Sequence, residues 1–340
     1  MCLWGTVLTA ASPPPLTRYQ FSGVEMAVPI EVTLYTDSDE VATKSAQAAF
    51  ARIHELNAVF SDYLEDSETS RLSATAGTGK AIPVSGDLWT VLTRAQEISE
   101  KSGGAFDVTV GPIVRLWRWA RRHHEMPSHK KIEAANALVD YRMIQMLPES
   151  QSVELLKPGM RLDFGGIAKG YAVAEALAAL GKHGIHSAMV HAGGDMALGD
   201  SPPGEPGWRI GIASTEPNSP PCEYLWLSNC AVAASGDTWQ FVTIDGRRYS
   251  HVIDPHTGIG LTDHSTVTIV GLDNTMADAL GKVVAVLGPE KGLAIIENMP
   301  GMAAHILRHE NGENSKIREY QSSRWKDFAK AGAPPAEASK

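Results

Sequence analysis

Leu162-Asp163-Phe164-Gly165-Gly166-Ile167-Ala168-Lys169-Gly170-Tyr171 joins a short apolar run to an Ala/Leu-rich stretch of helical composition. An acid, a Gly pair, a Lys and a third Gly in this order describe a strand feeding a helix N-terminus. Glycines at such a junction let a ligand approach the backbone. The free N–H groups and the helix dipole there favour an anion such as phosphate. The motif is not a Walker A loop, which needs Gly-Lys-Ser/Thr, whereas Lys169 is followed by Gly170 and Tyr171. A plain strand-to-helix turn is an equal reading of this segment taken alone.

The pattern extends in both directions. Upstream, Ile30 to Tyr35 alternates as a strand, and Ala46, Ala49, Phe50, Ile53, Leu56 and Phe60 recur at helical spacing. Leu88, Val91, Leu92, Ala95 and Ile98 repeat that spacing, with Asp87 as the candidate N-cap and Gly103 as the stop. A third helix follows Pro112. Downstream, Gly166 to about Lys182 reads as helix and Ser187 to His191 as strand, running into Ala192-Gly193-Gly194-Asp195. Trp208 to Ile253 breaks into short β-rich runs separated by Gly, Pro, Asn and Asp, the pattern of hairpins. Thr266 to Val270 reads as a buried strand, Ala277 to Val286 and Lys291 to Glu297 as two helices, and Ala303 to Leu307 as a last strand. Helices cluster early and antiparallel strands late, so the class is α+β, or mixed α/β. No fixed-period repeat is present.

The 340 residues are 43% hydrophobic and 20% charged, enough to build one large domain or two small ones. A formal charge of −9 argues against a general binder of nucleic acid or membrane surfaces. Arg115 to Lys131 is a local exception, basic and interleaved with Trp117 and Trp119. It reads as a solvated helix face or as a rim that guides an anionic ligand. Cys222 and Cys230 allow at most one disulfide, and the three cysteines have no metal-type spacing. Residues 1–20 read as a tail or signal remnant, with an apolar stretch from Leu3 to Ala11 before Pro13-Pro14-Pro15. No basic segment precedes that stretch, so no intact signal peptide is visible, and Cys2 has no apolar segment before it to support a lipid anchor. Residues 309–340 are polar and are expected to be a disordered tail.

Polar signatures fall at the ends of these elements: Tyr63 with Ser67 and Arg71; Gly103-Gly104-Ala105-Phe106-Asp107; Asp163 to Tyr171; His191 to Asp195; Ala234-Ser235-Gly236-Asp237; Ser250-His251-Val252-Ile253-Asp254-Pro255-His256-Thr257-Gly258; and Met276-Ala277-Asp278-Ala279-Leu280. In this order the set resembles the ApbE family of flavin transferases, from about Phe21 to Leu307. The resemblance implies an ApbE-like fold over residues 21–308, with mixed, largely antiparallel sheets flanked by helices. It implies an FAD:protein FMN transferase that cleaves the FAD pyrophosphate, attaches FMN to a Ser or Thr of a target flavoprotein and releases AMP. Relatives are often exported, so the resemblance leans toward the cell envelope or periplasm over the cytoplasm.

Position by position, the resemblance makes Met26, Tyr63, Ala105, Phe106, Asp107, Asp163, Lys169 and Ile253 cofactor contacts. Ala27 and Val28 replace the Gly and Thr that follow the family Met. His251 is the candidate base, since an imidazole titrates near working pH; otherwise it fixes the Asp-Pro turn. Asp254 is expected to belong to that turn. A Mg²⁺ ion beside the pyrophosphate would take the Gly166 carbonyl and the Asp278 carboxylate. Lys282 stands where the family has a third oxygen ligand, a Thr, and Ala174 replaces a family acid. Asp278 and Lys282 are i and i+4 on a helix, so the ammonium can reach the carboxylate and take the cation's place; alternatively Lys282 points away and Mg²⁺ binds. Competing readings are an FAD pyrophosphatase, a non-catalytic FAD-binding protein, and, from the basic segment alone, a nucleic-acid module.

Overall fold

The computed structural model describes residues 15–217, 219–238, 240–310 and 315–333. The readings placed on residues 1–14, including Cys2 and the apolar stretch, and on residues 334–340 lie outside the described residues. In chain order the hairpin β1 (Thr17–Glu25) and β2 (Val28–Thr36) is followed by α1 (Asp39–Phe60), α2 (Glu68–Ala74), β3 (Ile82–Pro83), α3 (Gly86–Lys101), α4 (Gly111–His123) and α5 (His129–Asn136). Then come β4 (Ile144–Leu147), β5 (Ser152–Leu155), α6 (Ala168–Lys182), β6 (Ala188–Ala192), β7 (Asp195–Leu198), β8 (Trp208–Ile212), β9 (Glu223–Leu227) and β10 (Cys230–Gly236). The chain continues through β11 (Phe241–Ile244), β12 (Arg247–Ser250), β13 (Ile253–Asp254), β14 (Ile259–Gly260), β15 (Ser265–Gly271), α7 (Asn274–Glu297), β16 (Ala303–His309), β17 (Ile317–Gln321) and β18 (Lys330–Ala331).

An eight-stranded sheet in the order β1-β2-β6-β7-β10-β15-β16-β17 forms the centre, and every neighbouring pair is antiparallel. Alternation sorts its side chains. Val32, Leu34, Ala231, Ala233, Val267 and Ile269 join one core shared with α1, α3, α6 and α7. Their neighbours Tyr35, Val232 and Val270 join a second core on the opposite face, shared with β8 and β9. The small sheet β18-β9-β8 closes that face, giving helices, large sheet and small sheet in three layers. The α+β class and the largely antiparallel sheets agree with the sequence reading.

Local differences have local causes. The N-cap of α3 is Ser85, whose Oγ accepts the Leu88 N–H at 3.2 Å, not Asp87. The Asp87 carboxylate instead accepts from Arg52 and from the Tyr171 hydroxyl at 2.7 Å, which ties α1, α3 and α6 together. Helix α6 starts at Ala168, not Gly166, because the glycine pair is used in the turn before it. The two helices expected around residues 277–297 are one run broken at Gly288, with φ 76°, immediately before Pro289. Cys222 and Cys230 are free thiols.

The C-terminal segment is the main correction: residues 315–333 are built into the fold. Strand β17 pairs with β16, and β18 pairs with β9. Trp325 is fully buried, donates its indole N–H to Glu223 at 2.7 Å and stacks on His305. One large aromatic anchors a segment whose average composition is polar, and a composition reading averages that anchor away. Trp325→Ala should therefore cost roughly 3–5 kcal/mol, measured by chemical denaturation; a loss within error would mean that the segment only rests on the surface.

The β1–β2 turn places Met26 and Ala27 at φ 50° and 60°, with Glu25 paired to Val28 across it. Both central residues occupy the left-handed region that a two-residue hairpin of this kind requires and that non-glycine residues adopt at a cost. Ala27→Gly should raise stability by about 1 kcal/mol, again by denaturation, whereas Ala27→Val should lower it.

Candidate functional site

The strand expected before the Asp163–Tyr171 segment is absent: Arg161 makes one isolated parallel bridge to Val110, and the chain then turns at Gly165-Gly166 and becomes α6. Asp163 itself is buried, accepts the Gly165 N–H at 2.8 Å and pairs with Arg118 at 2.9 Å. Arg118 also holds Asp62 and lies over the Tyr63 ring at 4.1 Å, so one guanidinium joins the Tyr63 loop to the Asp163 turn. Burial raises the Asp163 pKa, as does the Asp62 charge, while Arg118 opposes them.

Gly170 serves another part of the chain than the sequence suggested. A Cβ on it would lie 2.2 Å from the Asn274 carbonyl oxygen, so its role is to let the first turn of α7 pack against α6. Its N–H donates to Asp278 Oδ2 at 3.0 Å. The anion at the α6 N-terminus is therefore the protein's own Asp278, placed where the helix dipole stabilises a negative charge. Gly170→Ala should separate the two helices and destabilise the fold by roughly 1–3 kcal/mol, read from the denaturation midpoint; an unchanged midpoint would contradict the close packing.

Four charges meet at this point. Asp278 is fully buried, and its Oδ1 accepts from Lys282 Nζ. Lys169 Nζ lies 2.6 Å from Asp195 Oδ2 and 3.5 Å from Asp278 Oδ2. Burial works against the Lys169 ammonium, but Asp195 and Asp278 outweigh it and hold its pKa above the ordinary lysine value. Burial likewise raises Asp278, and the two ammonium groups reverse the shift, leaving the carboxyl below its ordinary range. Asp195 is pushed up by burial and by the Asp278 charge, and its Oδ1 is buried without a partner among the described residues.

The expected magnesium ligands fit poorly in this arrangement. Both oxygens of Asp278 are engaged by protein donors. The Lys282 side chain runs past Gly166, with its Cγ 3.7 Å from where a Gly166 Cβ would stand. An ammonium thus occupies the approach between the Gly166 turn and Asp278. A divalent ion would have to compete with the Lys282 ammonium for Oδ1 and with the Gly170 N–H and Lys169 for Oδ2.

His251 follows β12. Its Nδ1 faces the Gln240 carbonyl at 3.1 Å. A carbonyl can only accept, so Nδ1 carries the hydrogen and Nε2 is left as a bare lone pair, the form a general base requires. Burial lowers its pKa to about 4, with Lys282, Arg121 and Lys169 adding to the effect. The imidazole is neutral at pH 7. The unfolded chain protonates this residue near 6.5 and the folded chain near 4. Its contribution to stability is therefore complete above pH 6.5 and is lost as pH falls toward 4. Lys282→Thr removes one of the depressing charges, so the His251 titration followed by NMR should move upward from about 4; an unmoved midpoint would show that the ammonium does not act on the imidazole.

Phe106 lies against Gly166, its Cε2 3.1 Å from the Cβ position, and Ala105 is buried beside it. The Asp107 carboxylate accepts from the Thr109 N–H and hydroxyl and from the Tyr141 N–H, so its side chain is committed to this loop. Ile253 is half-buried in β13, and Asp254 accepts from the His256 N–H and the Thr257 hydroxyl, the expected turn role. His256 Nε2 meets the Gly103 carbonyl at 3.0 Å, which holds the His251 loop to the Gly103–Asp107 loop. The hairpin carrying Met26 comes to the β6–β7 turn, where Val28 lies beside Gly193, two residues before Asp195. A cleft of about 830 Å³ borders the site, lined by Asp62, Tyr63, Arg115, Arg118, Arg121 and Arg122 among others. The basic segment thus forms a wall of this cleft.

A match to the ApbE family covers residues 26–306. The chain belongs to the ApbE family. It is 32% identical over 276 residues to the FAD:protein FMN transferase of Treponema pallidum, covering 77% of this chain and 76% of that one. The corresponding protein of Vibrio cholerae is 29% identical over 334 residues, covering 96% and 98%. The fold superposes on the flavin transferase ApbE from Vibrio cholerae with a TM-score of 0.81 at 28% identity, covering 93% of this chain and all of that one. The apo Pseudomonas stutzeri flavinyl transferase ApbE gives 0.82 at 27%, covering 95% and 100%. Within the ApbE fold, Asp195 and Arg118 are the residues that reading the sequence left without a role. Asp195 ends a motif already noted for its glycines, while Arg118 looked like one more charge on a basic helix.

Proposed function

We propose that this protein transfers FMN from FAD to a Ser or Thr hydroxyl of an acceptor flavoprotein and releases AMP. The hydroxyl oxygen attacks the FMN-side phosphorus, the bond from that phosphorus to the bridging oxygen breaks, and AMP leaves with that oxygen. The observation that carries this reading is the bare Nε2 of His251 in the field of the Lys169 and Lys282 ammonium groups. His251 takes the hydroxyl proton. The two lysines and Arg121 stabilise charge on the phosphate oxygens, where phosphoryl transfer requires it. An incoming pyrophosphate also offsets the positive field that depresses His251, making it a stronger base when substrate is bound.

Lys282 supplies one positive charge and no fixed octahedral geometry, so it replaces only part of what magnesium provides. Turnover is accordingly expected to be slow and to persist in EDTA. No helix among the described residues is long and apolar enough to cross a membrane, and we favour an acceptor in the cell envelope or periplasm. The test incubates the full chain with FAD and a Thr-containing acceptor peptide, with Mg²⁺ or with EDTA, and resolves FAD, FMN and AMP. AMP in both tubes with flavin on the peptide is the expected result, and His251→Ala should lower the rate by about 10²–10⁴-fold. AMP with free FMN would make the protein a pyrophosphatase. AMP only with Mg²⁺ would overturn the role given to Lys282, and intact FAD despite tight binding would leave a flavin carrier.

A further inference from the structure

We propose that His264, His309 and Glu216 form a binding site for a zinc-type divalent ion. It is built from residues other than those of the flavin site. His264 immediately precedes β15 and His309 ends β16, one rung beyond the Ser265–Arg308 pair. The His309 N–H donates to the His264 carbonyl at 3.0 Å, and the two rings lie 4.7 Å apart. Both histidines are buried, at 4% and 5% exposure. Glu216, on the loop after β8, brings a carboxylate oxygen to 3.8 Å from His309 Nε2. One ligand atom from each of the three residues lies within 4.8 Å of the other two.

The surroundings of His264 match what a metal-binding histidine needs. His264 Nδ1 is held at 2.7 Å by Asp237 Oδ1, and Arg248 holds the other Asp237 oxygen at 2.7 Å. With Nδ1 given to a carboxylate, Nε2 is the nitrogen left for a metal, and the carboxylate both orients the ring and raises its basicity. Among the described residues His309 Nδ1 is buried with no partner, and Nε2 meets the Thr215 hydroxyl at 3.3 Å and Glu216. That ring is thus not committed to a strong acceptor. Two imidazoles and one carboxylate with an open position are a zinc donor set, whereas magnesium prefers an all-oxygen shell. Ligand atoms around a tetrahedral zinc ion stand roughly 3.3 Å apart, so atoms that now lie within 4.8 Å of one another must close by up to roughly 1.5 Å. Glu216, whose side chain is 56% exposed, can make that movement without disturbing the core.

A bound ion would join the β8 loop to the ends of β15 and β16. Through Asp237 and Arg248 it would also brace the β11–β12 hairpin, which leads directly into His251. The experiment strips the full chain with EDTA, removes the chelator and titrates ZnCl₂ against a chromophoric competitor, with CoCl₂ as a spectroscopic probe. The expected result is one equivalent bound at micromolar Kd or tighter, and a visible d–d band of low-symmetry cobalt. His264→Ala and His309→Ala should each weaken binding at least 10-fold, and Glu216→Gln, an exposed change that spares the core, should weaken it measurably. His251→Ala should leave it unaltered. Zinc binding absent below millimolar concentration, or unchanged in both the His309→Ala and the Glu216→Gln proteins, would overturn the assignment.

Discussion

A fully buried carboxylate, Asp278, organises the site. Alone in the interior it would be strongly unfavourable. It is tolerated because three donors converge on it: the Gly170 N–H at the start of α6, the Lys282 ammonium one turn along α7, and Lys169, which also reaches across to Asp195. Each donor fixes one element relative to another. The α6–α7 contact, the glycine at position 170 and the Lys169–Asp195 link to β7 all follow from keeping that charge satisfied.

The same cluster sets the chemistry available nearby. Two ammonium groups against two carboxylates make the pocket close to neutral before any ligand arrives. Burial depresses the His251 pKa most, and the positive ends of Lys282 and Lys169 add to that depression. A pyrophosphate is the type of ligand that both uses such ammonium groups and relieves their effect on the base. Lys282 thus acts on the site twice, by occupying the approach to Asp278 and by adding to the depression of the His251 pKa.

Much was legible along the chain, because the signals were local. The alternation of Ile30–Tyr35 and Thr266–Val270 and the helical spacing of Ala46–Phe60 and Leu88–Ile98 each depend on residues within a few positions of one another. The i,i+4 geometry of Asp278 and Lys282 was local in the same sense, and the ammonium does reach the carboxylate. Asp87 misled because an acid at a helix start suits a cap, and only the approach of Arg52 and Tyr171 shows where its carboxylate goes. The segment after His309 misled because its buried anchor is one residue, Trp325, among many polar ones.

By itself, then, the sequence determined the class of the fold, several of its longer elements, and a set of motifs specific enough to point to one family, since all of these are written in spacing and residue type. Only the tertiary structure decided which charges are paired. Arg118 reaches Asp62, Asp163 and Tyr63, Lys169 chooses Asp195, and His264 meets Asp237 and His309, all across separations in the chain that no local pattern encodes. Electrostatics is a property of distance in space. The glycine at 170 makes the point in reverse: its sequence context suggested room for a ligand, and the space it leaves is filled by another helix of the same chain.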